Sequence, residues 1–322
     1  MTLRSLLMAS ALTLATTLAT QAAELRASHN ANADEPYGVG LDKMAEIVAK
    51  DTDGSLTIKT FPNAQLGDEM ESIQGTQMGT VDIAVAANEA LANFAPDLAT
   101  FSLPYIFKSS EQMDKALDDP KIFNLVSTIL EERGFKLLAL FSAGERHIMT
   151  KKPINSIDDL KGEKIRVIQN PAHIDAFKAF GANPAPLPYT ELYGALETGV
   201  VDGADAANTN YYSQKFYEVA PDWAMVGWLQ LVAPVVMGKA AFDKLPADQQ
   251  KALLDAGMQA GSFERQYYVK SDAEKLEKLK DAGVTITHPD TAAFREAAAG
   301  VKEKYLDDDR KKELYEMINA VN

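Results

Sequence analysis

Two kinds of apolar spacing alternate along the chain. Leu25–Ser28 and Leu56–Phe61 are short runs of strand character. Between them Leu41, Met44, Ala45 and Val48 recur at i, i+3, i+4 and i+7, which gives a helix one apolar face. Pro36 opens that helix, where a missing N–H costs nothing. A second helix starts at Gly67-Asp68-Glu69 with Met70 and Ile73 turned inward, and Val81–Ala86 follows as a buried strand. An acid in a first turn, as Glu69 is, more often serves the helix dipole than a binding site. Strand, helix, strand, helix, strand predicts a βαβ unit, whose ligands sit outside the carboxyl ends of the strands. His29, Asn30 and Asn88 fall at such ends.

The pattern then repeats. Gly134–Phe141 alternates as a strand and leads into the polar stretch Ser142–His147, which contains Arg146. A second α/β unit forms around Ile165–Ile168, with Ile174, Phe177 and Phe180 as the core face of its helix and Gly181 as the stop. Pro184, Pro186 and Pro188 hold an extended connection to Tyr189, and Thr190 is a candidate N-cap for the helix carrying Leu192, Ala195 and Leu196. Leu231–Met237 is a further apolar strand. A long helix runs from Pro246 to Lys280, Val284–His288 reads as a last strand, and the tail from Thr291 is charged and helical.

One residue interrupts the apolar pattern in a telling way. Arg166 lies inside the Ile165–Ile168 strand. A buried guanidinium requires an anionic partner, because an unpaired buried charge is too costly. Either an internal Asp or Glu supplies that partner, or a ligand does.

Composition narrows the partners. The 322 residues are 46% hydrophobic and 24% charged, enough for two core-bearing domains or one large one, and 46 acidic against 32 basic residues give a net charge of -14. Such a chain repels nucleic acid and anionic membrane surfaces. Arg4, the apolar stretch Leu6–Ala19 and the small residues Thr20 and Ala22 form a secretory leader over residues 1–22. The absence of cysteine excludes disulfides, thiolate metal sites and a cysteine nucleophile. The expected compartment is the periplasm.

No motif nominates an enzyme or a cofactor. Gly38-Val39-Gly40 lacks the third glycine of a phosphate loop, and there is no His-Glu-x-x-His or Gly-x-Ser-x-Gly. The four histidines (His29, His147, His173, His288) are scattered, and His173 reads as a helix-surface residue rather than a metal ligand.

Several linked motifs do carry a likeness. Asp159–Val167 (Asp-Leu-Lys-Gly-Glu-Lys-Ile-Arg-Val), Gly181–Pro184, Leu196–Gly203 and Tyr212–Val219, with Phe61–Gly67, Leu103–Ile106 and Lys152–Ile157, resemble the periplasmic substrate-binding proteins of TRAP (tripartite ATP-independent periplasmic) transporters, the family named for C4-dicarboxylate binding. The resemblance covers nearly the whole mature chain.

It implies an α/β fold of two domains joined by hinges around a central cleft, with a long helix running across both. Domain I takes residues 23–142 plus 233–271, and domain II 143–232 plus 272–322. It also implies that a monomer captures a small organic acid, without cofactor or metal, and hands it to an ion-gradient-driven permease of two membrane subunits. The family's main carboxylate-binding arginine falls on Arg166 and a second arginine on Arg146; Asn30, Glu69, Gln169 and Tyr189 fall on other cleft positions, and Asn88 lies beside one. Many relatives read Gln-Glu-Asn-Pro where this chain has Ala204-Asp205-Ala206-Ala207, so their carboxylate-touching Asn is Ala206 here. Asp205, Asn208 or Asn210 are the candidates to replace it. The Asn and Gln positions favour hydroxylated acids, uronates or aldonates, over C4-dicarboxylates. A periplasmic enzyme acting on sugar acids, or a receptor for a sensor kinase, are the competing readings.

Overall fold

The structure is a computed structural model that describes residues 23–321; the leader expected over residues 1–22 lies outside them. Among the described residues nine strands make one mixed sheet: β1 (Ala23–Ser28), β2 (Leu56–Phe61), β3 (Ile83–Val85), β4 (Phe135–Thr150), β5 (Lys164–Val167), β6 (Asn183–Pro186), β7 (Gly203–Ala206), β8 (Asp222–Gly238) and β9 (Thr285–Thr287). Their order is β2-β1-β3-β8-β4-β7-β5-β6, with β9 added to β8. Parallel trios sit at both ends, β2-β1-β3 and β7-β5-β6, each built with crossover helices as the apolar spacing predicts.

What joins them is an antiparallel ribbon. β4 runs for 16 residues and β8 for 17, and each serves both halves of the sheet. Phe135–Ser142 pairs with Val232–Gly238 on one side, and Glu145–Thr150 with Asp222–Gln230 on the other. The sequence reading stopped the first strand at Phe141, treated Ser142–His147 as a loop, and began the second strand at Leu231. Here the structure corrects it. Register breaks at Ser142/Glu145 and Arg146/Ile148 interrupt the apolar alternation while the ladder continues, as bulges do where a strand re-aims its side chains. Gly144 sits in the first break at φ +79, and a Cβ there would lie 2.4 Å from the Tyr268 ring and 2.6 Å from Ala207 Cβ. Glycine is demanded twice over, by backbone and by space.

The long helix, Ala247–Asp281, has 35 residues and therefore spans about 50 Å. Its inner face lies on β4 so closely that a Cβ on Gly257 would meet Leu138 O at 2.0 Å. Further along, Arg265 donates to Leu140 O at 2.7 Å and pairs with Asp114 and Asp118, and Glu264 accepts from Ser142 N at 2.8 Å. Toward its end Asp272 accepts from Asn208 Nδ2 and Thr209 N. One rod thus braces both halves. The larger apolar cluster surrounds β1, β3, β4 and β8, and a second gathers Met149, Leu196, Tyr211, Phe216 and Trp223. In the latter Tyr211 stacks on Trp223 at 4.2 Å and donates to Ala220 O.

The remaining differences are local. Thr190 caps no helix; it lies in a single 3-10 turn, Tyr189–Glu191, and donates to Asp68 Oδ2 at 3.1 Å. The charged tail is two helices, Thr291–Tyr305 and Asp309–Ala320, divided where Asp308 caps the second by accepting from Lys311 N. Among the described residues no helix is long and apolar enough to cross a membrane.

Candidate ligand-binding site

The carboxyl ends of β1, β3 and β5 meet the bulged middle of the ribbon, and a cavity opens there. It encloses about 490 Å³ between its atoms, mouth included, and is lined among others by Asn30, Glu35, Glu69, Arg146, Arg166, Tyr189, Asn210 and Tyr268. Apolar walls with a few converging polar groups are the usual make-up of a small-molecule site. Ala31, Ala87, Ala143, Ile168 and Leu231 supply the apolar part.

Arg166 comes from β5, with Ile165 and Val167 packed into the core on either side. It is 2% exposed. Among the described residues its side chain makes one hydrogen bond, Nε to Leu187 O at 2.9 Å, and no ion pair. Burial lowers its pKa, with Asp205 and Glu69 pulling the other way from a distance. Its Cζ lies 5.9 Å from the centre of the Tyr189 ring. The Tyr189 hydroxyl oxygen is buried beside it with no hydrogen-bond partner among the described residues.

Arg146 is differently placed. It projects from the second bulge of β4 and is held by the neighbouring strand: Nε donates to Asp205 Oδ2 at 2.8 Å and Nη2 to Asp205 O at 2.8 Å. Both side chains are buried. Burial opposes the Arg146 charge, but Asp205 outweighs it and raises the pKa; burial likewise opposes ionisation of Asp205, which Arg146 and His173 overcome to hold it below the usual carboxylate range. His173, expected on a helix surface, is fully buried. Its Nε2 lies 3.3 Å from Asp205 Oδ1, and its ring packs on Phe177 and Trp228. Burial lowers its pKa. The Pro171–Ala179 helix turns this face toward β7 and β8, so its apolar stripe includes position 173.

The opposite wall carries two carboxyl groups. Glu69 accepts from Ala87 N at 2.8 Å, and burial pushes it up to about 7. Glu35 is 2% exposed and accepts from Asn210 Nδ2 at 2.6 Å, Gln214 Nε2 at 2.7 Å and Asn32 N at 3.1 Å; burial raises its pKa against those bonds. Tyr268 donates to Asn210 Oδ1 at 3.1 Å. Further bonds close the cleft mouth: Asn93 Nδ2 to Gln169 O at 2.8 Å, Asn170 Nδ2 to Glu89 O at 2.9 Å, and Thr190 Oγ1 to Asp68 Oδ2.

Of the residues nominated from sequence, Asn30, Glu69, Arg146, Arg166, Tyr189 and Asn210 line the cavity. Gln169 is exposed and lines the adjoining groove at its mouth. Asp205 lies behind Arg146. Asn88 points elsewhere, donating to Leu98 O and Ser102 Oγ in the interior. Asn208 ties Trp223 Nε1 to Asp272. Glu35, Tyr37 and Tyr268 were not singled out. Glu35 precedes a helix-opening proline and Tyr268 lies on the inner face of the long helix, so each has an ordinary structural explanation in sequence. Among the described residues there is no cluster of three or more His, Asp or Glu able to hold a metal.

A buried arginine short of partners, facing polar walls at the junction of two α/β units, defines a solute-binding protein. A family model described as bacterial extracellular solute-binding protein, family 7, matches residues 27–308. A solute-binding protein of Verminephrobacter eiseniae is 35% identical over 270 residues, covering 83% of this chain and 80% of that one. The structure of a TRAP periplasmic solute-binding protein from Xanthobacter autotrophicus, with bound β-D-galacturonate, matches with a TM-score of 0.90 at 28% identity, covering 92% of this chain and all (100%) of that one. Another from Pseudomonas putida, with bound D-glucuronate, matches with a TM-score of 0.89 at 32% identity, covering 93% and 97%. The chain belongs to solute-binding protein family 7, and its fold is that of the TRAP solute-binding proteins.

Proposed function

We propose that this protein captures a sugar acid, a hexuronate or aldonate, in the periplasm and delivers it to the two membrane subunits of an ion-gradient-driven TRAP permease. The observation that carries this reading is Arg166: a desolvated guanidinium with, among the described residues, one backbone hydrogen bond and no ion pair, facing a cavity that opens at a mouth. Such a fork matches a carboxylate through two charge-assisted hydrogen bonds. Glu69, Asn30 and Asn210 face the space where a sugar's hydroxyls would lie, and Tyr189 and Gln169 tune which sugar is accepted. The galacturonate and glucuronate held by the similar structures support the same class of ligand.

In this reading the protein has no catalytic residue, and capture proceeds by closure. Residues 23–142 with 233–271 and residues 143–232 with 272–322 act as two domains, and the bulges at Ser142–Arg146 are the hinge in β4. The test is a thermal-shift screen over D-glucuronate, D-galacturonate, D-gluconate and C4-dicarboxylates. A ligand at 100 times its Kd adds about 2.7 kcal/mol to stability. No shift with any sugar acid at millimolar concentration would overturn the assignment.

A further inference from the structure

We infer that the site extends beyond a single sugar ring and takes a uronate that carries a second, neutral sugar: the two units occupy the cavity and the groove outside it, with the carboxylate held between them. The inference rests on the sugar-acid reading above and enlarges its ligand.

The cavity does not end at Arg166. Glu69, Arg166, Ile168 and Tyr189 line both the cavity and the adjoining groove. The carboxylate anchor therefore stands at the junction of two spaces, and an acid held there has room on either side. The groove takes one wall from each α/β unit. Asp68, Met70 and Glu71, at the start of the Glu69–Met78 helix, supply the first, and residues 187–191 supply the second. Thr190 Oγ1 and Asp68 Oδ2 join these walls at 3.1 Å, so the groove remains as space while its walls are in contact.

The lining selects the occupant. Met70, Leu187 and Pro188 offer apolar surface to the C–H face of a pyranose. Around them the side chains of Gln169 and Glu191 are exposed and make no hydrogen bond among the described residues. The buried Tyr189 hydroxyl waits unpartnered at the junction. A carboxylate accepts hydrogen bonds, and an amide or hydroxyl both donates and accepts, which is the set that a ring of hydroxyl groups matches. An alkyl or aryl substituent would meet the apolar strip and leave those groups unused.

The test is calorimetry with D-glucuronate, D-galacturonate and two disaccharides, one a glucuronate joined through its anomeric carbon to D-glucose, the other a galacturonate joined likewise to L-rhamnose. At least one disaccharide should bind as tightly as its parent uronate, within threefold, or more tightly. Met70→Trp and Glu191→Trp fill the groove from opposite walls. Each should weaken the disaccharide at least about tenfold while leaving the parent uronate within threefold of wild type. Two variants are used so that one decides if the other fails to fold by circular dichroism. Both disaccharides binding more than threefold more weakly than their uronates would overturn the inference and leave the sugar-acid reading standing. So would a folded variant in which disaccharide and uronate change by the same factor. Failure of every sugar acid to bind would overturn both.

Discussion

Glu35 and Asn210 meet across the cleft, joined by a 2.6 Å hydrogen bond from Asn210 Nδ2 to the Glu35 carboxylate. Gln214 and the Asn32 N–H complete the cradle, and Tyr268 fixes the other end of the Asn210 amide. Glu35 starts the Pro36–Asp51 helix on one side, and Asn210 lies in the short Asn208–Ser213 helix on the other. In the proposed two-domain reading the pair acts as a latch across the cleft. Glu35→Ala should weaken binding by about 1–3 kcal/mol, since it strands the Asn210 and Gln214 amides. Small-angle scattering should show a larger radius of gyration for the variant than for the wild type at equal, subsaturating ligand. Equal radii and equal affinity would remove the latch role.

Gly144 tests the bulge. Its φ of +79 and the 2.4 Å approach of the Tyr268 ring leave no room for a methyl group. Gly144→Ala should cost about 1–3 kcal/mol from backbone strain alone, read as a fall of several degrees in Tm. An unchanged Tm would show that the ribbon bends elsewhere.

Glu264 sets part of the pH dependence. Burial against Phe141 and Gly40 pushes its carboxyl up to about 8 from the ordinary 4.5, against the Ser142 N–H that it accepts. Between those values the folded protein keeps a proton that the unfolded chain releases. Stability therefore falls as pH rises from about 4.5 to about 8, and levels off above. Glu264→Gln carries no titrating proton and should flatten that fall, so the Tm advantage of the variant grows from pH 5 to pH 8. Parallel Tm curves for the two proteins would contradict this.

Much of this architecture was legible in the chain. Leu41, Met44 and Val48 mark the first helix, Pro246 starts the long one, and Ile165–Ile168 locates the strand that carries Arg166. The ribbon was not legible, because Ser142–Arg146 break the period-two pattern at the place where β4 bulges and turns Arg146 into the cavity. His173 was misjudged for a related reason. One polar residue on a short helix says nothing of its neighbours until β7 brings Asp205 beneath it. Asp205 itself is one of 46 acidic residues, and only its register opposite Ile148 identifies it as the mate of Arg146. Asn88 and Asn208 show the converse. Polar residues at strand ends satisfy buried carbonyls and indoles as well as ligands, and the pattern is the same.

The central claim is that Arg166 holds the substrate carboxylate, and calorimetry of Arg166→Ala and Arg166→Lys with D-glucuronate or D-galacturonate, on protein shown to be folded by circular dichroism, tests it most directly. Removing one member of a buried charge pair costs about 2–5 kcal/mol, so the alanine variant should lose roughly 30-fold to several thousand-fold in affinity. Lysine should recover only part of it, because a point charge cannot make the planar two-bond contact. A folded Arg166→Ala protein that binds the acid within a factor of three of wild type would contradict the account.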